Sequence, residues 1–246
     1  MYENELPREC LEDLTQLPPT EVGLRRFDTC TLSNAIEQLE VRPRNEGFIV
    51  GAVRCQFPDL PPVAGHAVTG RIRSSMPPVR GRSYYENTDF WHYVESLPAP
   101  RMIVLQDCDH VPGFGALFGE IHAHICRALD GVAYVTNGAV RDVMSIQKLG
   151  LQVFAGNVAV SHAYAHVVDF GEPVEIGGLR ISPGDLLHGD LHGVLVIPHA
   201  IVRELPAAAE QVRQWKQELF QFCDDPHFSA DLLESKIQDR KLRSKV

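Results

Sequence analysis

Three short apolar runs in the middle of the chain constrain its fold more than any other feature. They are Met102–Leu105, Val132–Val135 and Leu151–Phe154. Each run has the length of a buried strand, and the segments between them have the apolar spacing of helices. Consecutive parallel strands joined by right-handed helical crossovers place the loops after each strand at one edge of a sheet. The sequence therefore predicts an α/β fold built on a central βαβαβ unit.

The chain before this unit combines helix and strand signals. Asp28 and Thr29 form a favourable N-cap just before apolar residues at helical spacing. Residues 47–73 have the pattern of strands, and a short helix is expected around Phe90–Ser96. These segments lead into the first strand of the central unit.

After the third apolar run, short apolar segments alternate with tight turns. Turn residues such as Gly177–Gly178 and Pro183–Asp185 predict a compact β-rich layer that ends at Pro198. One long amphipathic helix is expected over Val202–Phe222, and Pro226 separates it from a last helix. The expected units are an N-terminal extension over residues 1–27, one central domain over 28–198 and a C-terminal helical extension over 199–246.

Composition limits the partners and the compartment. The 246 residues carry a net charge of −9, which repels nucleic acid phosphate. No segment reaches the roughly 20 apolar residues that a membrane helix needs. The first ten residues lack the apolar core of a secretory signal, and the six cysteines include no CxxC pair. We therefore expect a cytoplasmic protein with free thiols that binds neither nucleic acid nor membranes.

Polar residues follow two of the three predicted strands. Gly115–Glu120 is a glycine-flanked loop after the first strand, and Arg141–Asp142 follows the second. Glu120 and Asp142 each have a structural alternative, because a carboxylate in the first turn of a helix caps free backbone amides. Arg141, in contrast, places a positive charge at the N-terminal end of a helix, which is itself positive. This position is unfavourable unless an anion binds there. Together these residues indicate an anionic ligand held beside a divalent cation.

The type of cation follows from the side chains that would bind it. Glu120 and Asp142 supply oxygen ligands, and no cysteine lies near them in the sequence. Mg²⁺ or Mn²⁺ suits such a site better than zinc does, because magnesium keeps several waters and takes only one or two protein carboxylates.

The histidines allow more than one interpretation. Alternation over residues 160–166 predicts a strand with His162, Tyr164 and His166 on one face. That face could line a pocket or bind a transition metal, or it could be an interface or surface strand without chemistry. His188 and His192 flank a turn and are expected to be exposed.

Several motif-defined enzyme classes find no support in the chain. We detect no nucleophile elbow, no P-loop and no dinucleotide-binding glycine fingerprint followed by an acidic residue. No lysine lies in the glycine-flanked loop or beside Arg141, so a Schiff-base mechanism is not expected.

These motifs resemble a known family from about Asp28 to Pro198. The family groups RraA, the regulator of RNase E activity, with the divalent-metal-dependent class II pyruvate aldolases, such as 4-hydroxy-4-methyl-2-oxoglutarate aldolase. The segments that carry the resemblance are residues 115–120, 136–142, 176–185, 189–190 and 193–198. The resemblance implies a swivelling β/β/α-type domain with additional N- and C-terminal helices.

The resemblance also implies roles for individual residues. The backbone amides of four loop residues would contact the pyruvyl part of a 2-keto acid; these are Ala116, Leu117, Phe118 and Gly119. Arg141 would bind the substrate carboxylate and oppose charge on the enolate oxygen. Asp142 would hold the Mg²⁺ or Mn²⁺ ion, and Glu120 would orient water bound to it. Members of the family form trimers or hexamers, with sites between subunits, so a homo-oligomer is implied.

The chain departs from the family at two positions. Glu120 stands where the aldolases have an aspartate, and Gly156 follows Phe154–Ala155 where the family often has an arginine. The second change and the predicted histidine strand suggest a different substrate tail.

The function implied by the resemblance is a lyase that cleaves the C3–C4 bond of a 2-keto acid through the enolate of pyruvate. Its reaction would be the retro-aldol cleavage of 4-hydroxy-2-oxoacids, the decarboxylation of oxaloacetate, or both. One alternative is a non-catalytic regulator that binds an RNA-processing nuclease, and another is a lyase or hydrolase for a different keto acid. The long helical extension beyond Pro198 favours an enzyme.

Overall fold

The computed structural model describes residues 23–78 and 88–243. Its helices are α1 (Thr29–Gln38), α2 (Asp89–Ser96), α3 (Glu120–Ala128), α4 (Val143–Lys148), α5 (Leu205–Cys223) and α6 (Ala230–Arg243). Its strands are β1 (Arg54–Cys55), β2 (Val63–Arg73), β3 (Arg101–Asp107), β4 (Gly131–Val140), β5 (Gln152–Val158), β6 (His166–Phe170), β7 (Val174–Ile176), β8 (Leu179–Ile181), β9 (Leu186–Asp190) and β10 (Gly193–Ile197).

A mixed eight-stranded sheet forms the centre of the fold. Its order is β1-β5-β4-β3-β2-β9-β10, and β6 also pairs with β2. Strands β2 to β5 are parallel, whereas β1, β6, β9 and β10 pair in antiparallel fashion. The three predicted apolar runs lie on adjacent strands β3, β4 and β5, so the predicted α/β fold with a central βαβαβ unit is confirmed.

Both faces of the sheet are covered, which explains the continuous apolar runs. On one face, helices α2, α3 and α4 cover a core that includes Phe118 and Tyr134, whose rings stack with centroids 4.0 Å apart. On the other face, the β7–β8 hairpin packs Ile176 and Ile181 against the sheet. A third cluster joins α1 and α5 to β10 through residues such as Leu195.

The helix signal at Asp28 is confirmed. The Asp28 carboxylate accepts the Thr31 N–H at 2.7 Å and the Thr31 hydroxyl at 2.6 Å, so it caps α1 as predicted. The Lys216 ammonium of α5 donates to the Thr31 hydroxyl at 2.9 Å. Helix α5 begins at Leu205 rather than Val202, because residues 199–201 form a 3₁₀ turn. Most of the predicted extension over residues 1–27 lies outside the described residues.

No helix within the described ranges has the length and apolarity that a membrane span requires.

The predicted strand over residues 160–166 is wrong. Strand β6 begins only at His166, and the preceding residues form a turn in which Ala163 has a φ of 48°. The Ser161 hydroxyl accepts the Ala163 N–H at 2.9 Å. Such a local bond offers the backbone an alternative to pairing in a sheet, so His162, Tyr164 and His166 do not share a strand face.

His188 is buried, which corrects the expectation that it is exposed. Its side chain lies on β9 with no accessible surface, and Nδ1 is 3.0 Å from the Thr29 hydroxyl of α1. Next to it, the Asp190 carboxylate accepts the Thr29 N–H at 2.8 Å. The sequence prediction missed this because helix α1 covers a turn that appears open from local pattern alone. His192 remains exposed, as predicted.

Acid is expected to destabilise the fold through His188. Burial lowers the pKa of His188 from 6.5 to about 4, so between those pH values only the unfolded state holds the proton. The free energy of unfolding should therefore fall as pH decreases from 6.5 towards 4, and this contribution should be constant above 6.5. Urea unfolding across this range measures it. His188→Asn should show a shallower pH dependence, and an unchanged slope in that variant would contradict the assignment to His188.

Candidate active site

The loops after β3 and β4 meet at the carboxyl edge of the parallel strands. Phe118 forms an isolated parallel bridge with Val140, and the Arg141 N–H donates to the Phe118 carbonyl at 3.1 Å. This pairing brings the glycine-flanked loop against Arg141 and Asp142, as the strand order predicts. The site residues thus lie together at the start of α3 and α4.

Asp142 caps a neighbouring helix rather than its own. Its backbone is left-handed, with φ 55° and ψ 35°, and its side chain makes no capping bond to α4. Instead, Oδ2 accepts the Glu120 N–H at the start of α3, at 3.1 Å. That backbone bond, aided by the charge of Arg141, lowers the pKa of Asp142. The carboxylate is therefore ionised at neutral pH, and the structural alternative, in which Asp142 caps its own helix α4, does not hold.

Arg141 is held at one edge of its guanidinium group. Its Nε lies 3.4 Å and 3.3 Å from the two carboxylate oxygens of Asp142. Among the described residues, no acceptor pairs with either terminal nitrogen, and 29% of the side chain is exposed. The outer edge of the fork can thus bind a planar anion through two parallel hydrogen bonds.

The glycine-flanked loop offers fewer free amides than the sequence suggests. The Ala116 N–H donates to the Ser161 carbonyl at 3.0 Å, so the expectation that this amide contacts a ligand is not supported by this conformation. Phe118 pairs with Val140 through its bridge. In the described part of the chain, the N–H groups of Leu117 and Gly119 have no hydrogen-bond partner. Leu117 is half-buried and Gly119 is buried, and their amides are the donors of this loop that the described residues themselves leave unpaired.

Glu120 is the first residue of α3, and its side chain is exposed at the edge of the site. No described residue pairs with its carboxylate, which therefore faces solvent beside Asp142. Its carboxylate caps no backbone amide of α3, so only the favourable charge interaction with the helix N-terminus remains of the structural alternative.

The sequence analysis missed a buried carboxylate that holds the backbone just before the glycine-flanked loop. Asp107, at the end of β3, accepts the Asp109 N–H at 3.0 Å and the Gly113 N–H at 2.8 Å. The Asn137 side chain of β4 brackets it, accepting the Asp107 N–H at 2.7 Å and donating to its carbonyl at 2.9 Å. Burial raises the pKa of Asp107. Its position two residues after the apolar run Met102–Leu105 was the signal that could have identified it.

Ser74 is a second residue that the sequence analysis missed. It follows β2, is fully buried, and its hydroxyl accepts the Gly115 N–H at 3.0 Å. The same hydroxyl donates to the Asp109 carboxylate at 3.0 Å. Together, Asp107, Asp109 and Ser74 fix the loop that carries the two free amides.

The two carboxylates of the site suit a hard cation that keeps most of its water ligands, rather than one whose ligands all come from the protein. Within the described ranges, no group of three or more His, Cys, Asp or Glu side chains could hold a metal. Mg²⁺ takes as few as one or two carboxylates and completes its shell with water. Asp142, which is ionised, and the solvent-facing carboxylate of Glu120 satisfy that requirement.

Gly119→Ala is expected to disable the site while leaving the fold intact. A Cβ atom at Gly119 would lie 2.7 Å from Asp142 Oδ2 and 2.9 Å from Arg141 Cγ. Both side chains must move, and a shift of about 1 Å can cost about 100-fold in turnover. The free energy of unfolding should fall by only about 1 kcal/mol. Activity assays and urea unfolding measure the two effects.

Gly23→Ala is the matched control, because the nearest described atom to a Cβ there is Cγ of Pro206, at an ordinary contact distance of 3.5 Å. Equal activity in the two variants would show that the contact at Gly119 is unimportant.

Comparison with known proteins establishes the family. Residues 29–196 match the RraA-like family, described as Aldolase/RraA. The chain therefore belongs to the RraA-like family, which confirms the resemblance seen in its motifs.

Individual relatives are distant or partial. Over 84 residues, 34% of this chain, it is 31% identical to a protein of Halalkalibacterium halodurans named as a candidate 4-hydroxy-4-methyl-2-oxoglutarate aldolase. Over 116 residues, 46% of this chain, it is 29% identical to protein DlpA of Legionella pneumophila. The aligned residues span 40% and 18% of these two relatives, less than half of either.

The fold also matches a solved structure of the family. RraAS2 of Streptomyces coelicolor, described as an unusual member of the RNase ES inhibitor RraA family, aligns with a TM-score of 0.63. The alignment covers 80% of this chain and 93% of that one at 23% identity. At this identity the likeness concerns the fold alone.

Proposed function

We propose that this protein is a carbon–carbon lyase that cleaves the C3–C4 bond of a 2-keto acid and stabilises the enolate of pyruvate. The observation that carries the proposal is the state of Arg141. Asp142 holds one edge of the guanidinium group in place, and the outer edge has no protein partner among the described residues. An arginine that is fixed at one edge, free at the other and close to a helix N-terminus can bind a substrate carboxylate through two hydrogen bonds.

The substrate's pyruvyl end is assigned to Arg141 and the glycine-flanked loop. The guanidinium fork binds the carboxylate, while the amides of Leu117 and Gly119 donate to its oxygens. As the C3–C4 bond breaks, negative charge develops on the 2-keto oxygen. Arg141 then opposes that charge from a fixed position, which is how preorganised donors lower a barrier.

A Mg²⁺ or Mn²⁺ ion is assigned to Asp142, with Glu120 orienting water beside it. Such an ion supplies Lewis-acid polarisation of the 2-keto group when bound. Asp142 in addition keeps Arg141 in place through Nε and fixes the start of α3 through the Glu120 N–H. The single carboxylate therefore links the position of the arginine to that of the loop.

A second copy of the chain is assigned to the open side of the site. Ile121 of α3 and Met144 of α4 are 75% and 65% exposed although both are large and apolar. Both lie within three residues of Glu120 or Asp142. A homotrimer or homohexamer that covers these side chains would complete the site with residues of a neighbouring subunit.

Pyruvate release tests the proposal. Oxaloacetate and 4-hydroxy-4-methyl-2-oxoglutarate serve as substrates, with lactate dehydrogenase reporting pyruvate, in the presence of Mg²⁺, Mn²⁺ or EDTA. Turnover above the rate of free metal, abolished by EDTA, supports the lyase. Rates equal to free metal with both substrates would contradict it and favour the non-catalytic regulator or a different keto acid.

A further inference from the structure

His162 lies against the site, and the proposed function leaves it without a role. Its backbone packs on the glycine-flanked loop so closely that a Cβ atom on Gly115 would lie 2.4 Å from the His162 carbonyl oxygen. The neighbouring Ser161 carbonyl accepts the Ala116 N–H at 3.0 Å. The segment 161–163 is therefore fixed to the same loop that offers amides to the substrate.

The imidazole of His162 is locked in one tautomer. Its Nδ1 lies 2.6 Å from the Ala116 carbonyl oxygen. A carbonyl oxygen only accepts hydrogen bonds, so Nδ1 carries the proton and donates it. In the neutral ring, Nε2 is then the unprotonated nitrogen with a free lone pair. A histidine oriented by a backbone carbonyl in this way is arranged to accept a proton at Nε2.

The free nitrogen is accessible and close enough to the site to affect its charges. The side chain is exposed, and no described residue forms a hydrogen bond or an ion pair with Nε2. When its ring is protonated, His162 lies close enough to contribute to the lowered pKa of Asp142, after the Glu120 N–H and Arg141. It also adds to the effect of burial in lowering the pKa of His122. His162 therefore lies beside the crevice that Asp142 borders.

We propose that Nε2 of His162 is the proton acceptor for the 4-hydroxyl group of the substrate in carbon–carbon cleavage. The inference rests on the proposed function. Nε2 takes the hydroxyl proton as the C3–C4 bond breaks, and C4 becomes the carbonyl carbon of the second product. The C3–C4 electron pair becomes the enolate of pyruvate, which takes up one proton at C3. The protonated imidazole returns its proton to solvent, so protons and electrons balance.

Decarboxylation provides an internal control, because oxaloacetate has no 4-hydroxyl group. Carbon dioxide leaves with the same enolate as the second product, and no base is needed for the cleavage. A residue that only shapes the site should affect both reactions, whereas a proton acceptor should affect only the retro-aldol cleavage.

The test is His162→Asn, assayed with 4-hydroxy-4-methyl-2-oxoglutarate and with oxaloacetate. The asparagine amide can replace Nδ1–H as the donor to Ala116, but it has no atom in the place of Nε2. We expect kcat for the hydroxy acid to fall about 100-fold, while oxaloacetate decarboxylation changes by no more than about twofold. His166→Asn is the matched control, because its Nδ1 makes the same kind of bond, 2.7 Å from the Tyr164 carbonyl. It should leave both rates unchanged.

Each other outcome overturns the inference. An equal loss of both activities in His162→Asn would mean that the residue is structural or binds the metal. Full retention of cleavage, or a selective loss in Glu120→Gln instead, would assign the proton to another group. Decarboxylation by the wild-type protein without cleavage of the hydroxy acid would leave no hydroxyl proton to accept. If the wild-type protein catalyses neither reaction, the proposed function itself fails, which separates the two claims.

Discussion

Arg141→Ala should lower kcat/KM for pyruvate release by about 100- to 1,000-fold, the effect of removing one preorganised donor from a developing oxyanion. The side chain both binds the substrate carboxylate and opposes the enolate charge, so kcat and KM should both change. Among the described residues, the side chain forms polar contacts with Asp142 alone, so the free energy of unfolding should change little. Steady-state kinetics with oxaloacetate and urea unfolding measure both quantities.

Arg141→Lys separates charge from geometry. Lysine keeps the positive charge but lacks the planar fork, so its activity should lie between those of the wild type and the alanine variant. Wild-type activity in Arg141→Ala would contradict the assignment of the substrate carboxylate. Full activity in Arg141→Lys would show that a point charge is sufficient and that two-pronged binding is unimportant.

Asp142→Asn should abolish metal-dependent turnover, with a loss of about 100-fold or more if the ion contributes several kcal/mol to the barrier. Asparagine tolerates the left-handed backbone of this position and keeps an oxygen that can accept the Glu120 N–H. The substitution therefore removes the charge while preserving the link between the two helices. Mn²⁺ binding, followed by electron paramagnetic resonance or calorimetry, should weaken in parallel with activity.

Glu120→Gln is the comparison for this variant. Because Glu120 is assigned to water rather than to the ion itself, its loss should weaken Mn²⁺ binding less than Asp142→Asn does. Stronger weakening by Glu120→Gln would reverse the two assignments. Unchanged Mn²⁺ binding in both variants would place the metal elsewhere.

The sequence predicted the parts of the fold that depend on local periodicity. The three apolar runs became β3, β4 and β5, and Asp28 caps α1, because burial on both faces and helix capping leave direct signals in the sequence. Strand order then brought the glycine-flanked loop to Arg141. The loops after parallel strands meet at one edge, so this proximity required no knowledge of side-chain packing.

Long-range hydrogen bonds were the features that local patterns could not predict. Asp142 caps α3 instead of α4 because its backbone is left-handed, and no pattern distinguishes that state from an ordinary cap. The alternation around His162 suggested a strand, but the Ser161 hydroxyl stabilises a turn there. His188 is buried only because α1 folds back over β9. In all three cases the local structure depends on a hydrogen-bond partner that the periodicity of apolar residues does not reveal.

Exchange of the methyl protons of pyruvate in D₂O tests the central claim most directly, because it detects the enolate without depending on the substrate tail. Proton nuclear magnetic resonance would follow the methyl signal with Mg²⁺ or Mn²⁺ present, for the wild-type protein and Arg141→Ala. We predict exchange well above the rate with metal alone, loss of that excess with EDTA, and its loss in Arg141→Ala. Wild-type exchange no faster than with metal alone would contradict stabilisation of a pyruvate enolate at this site.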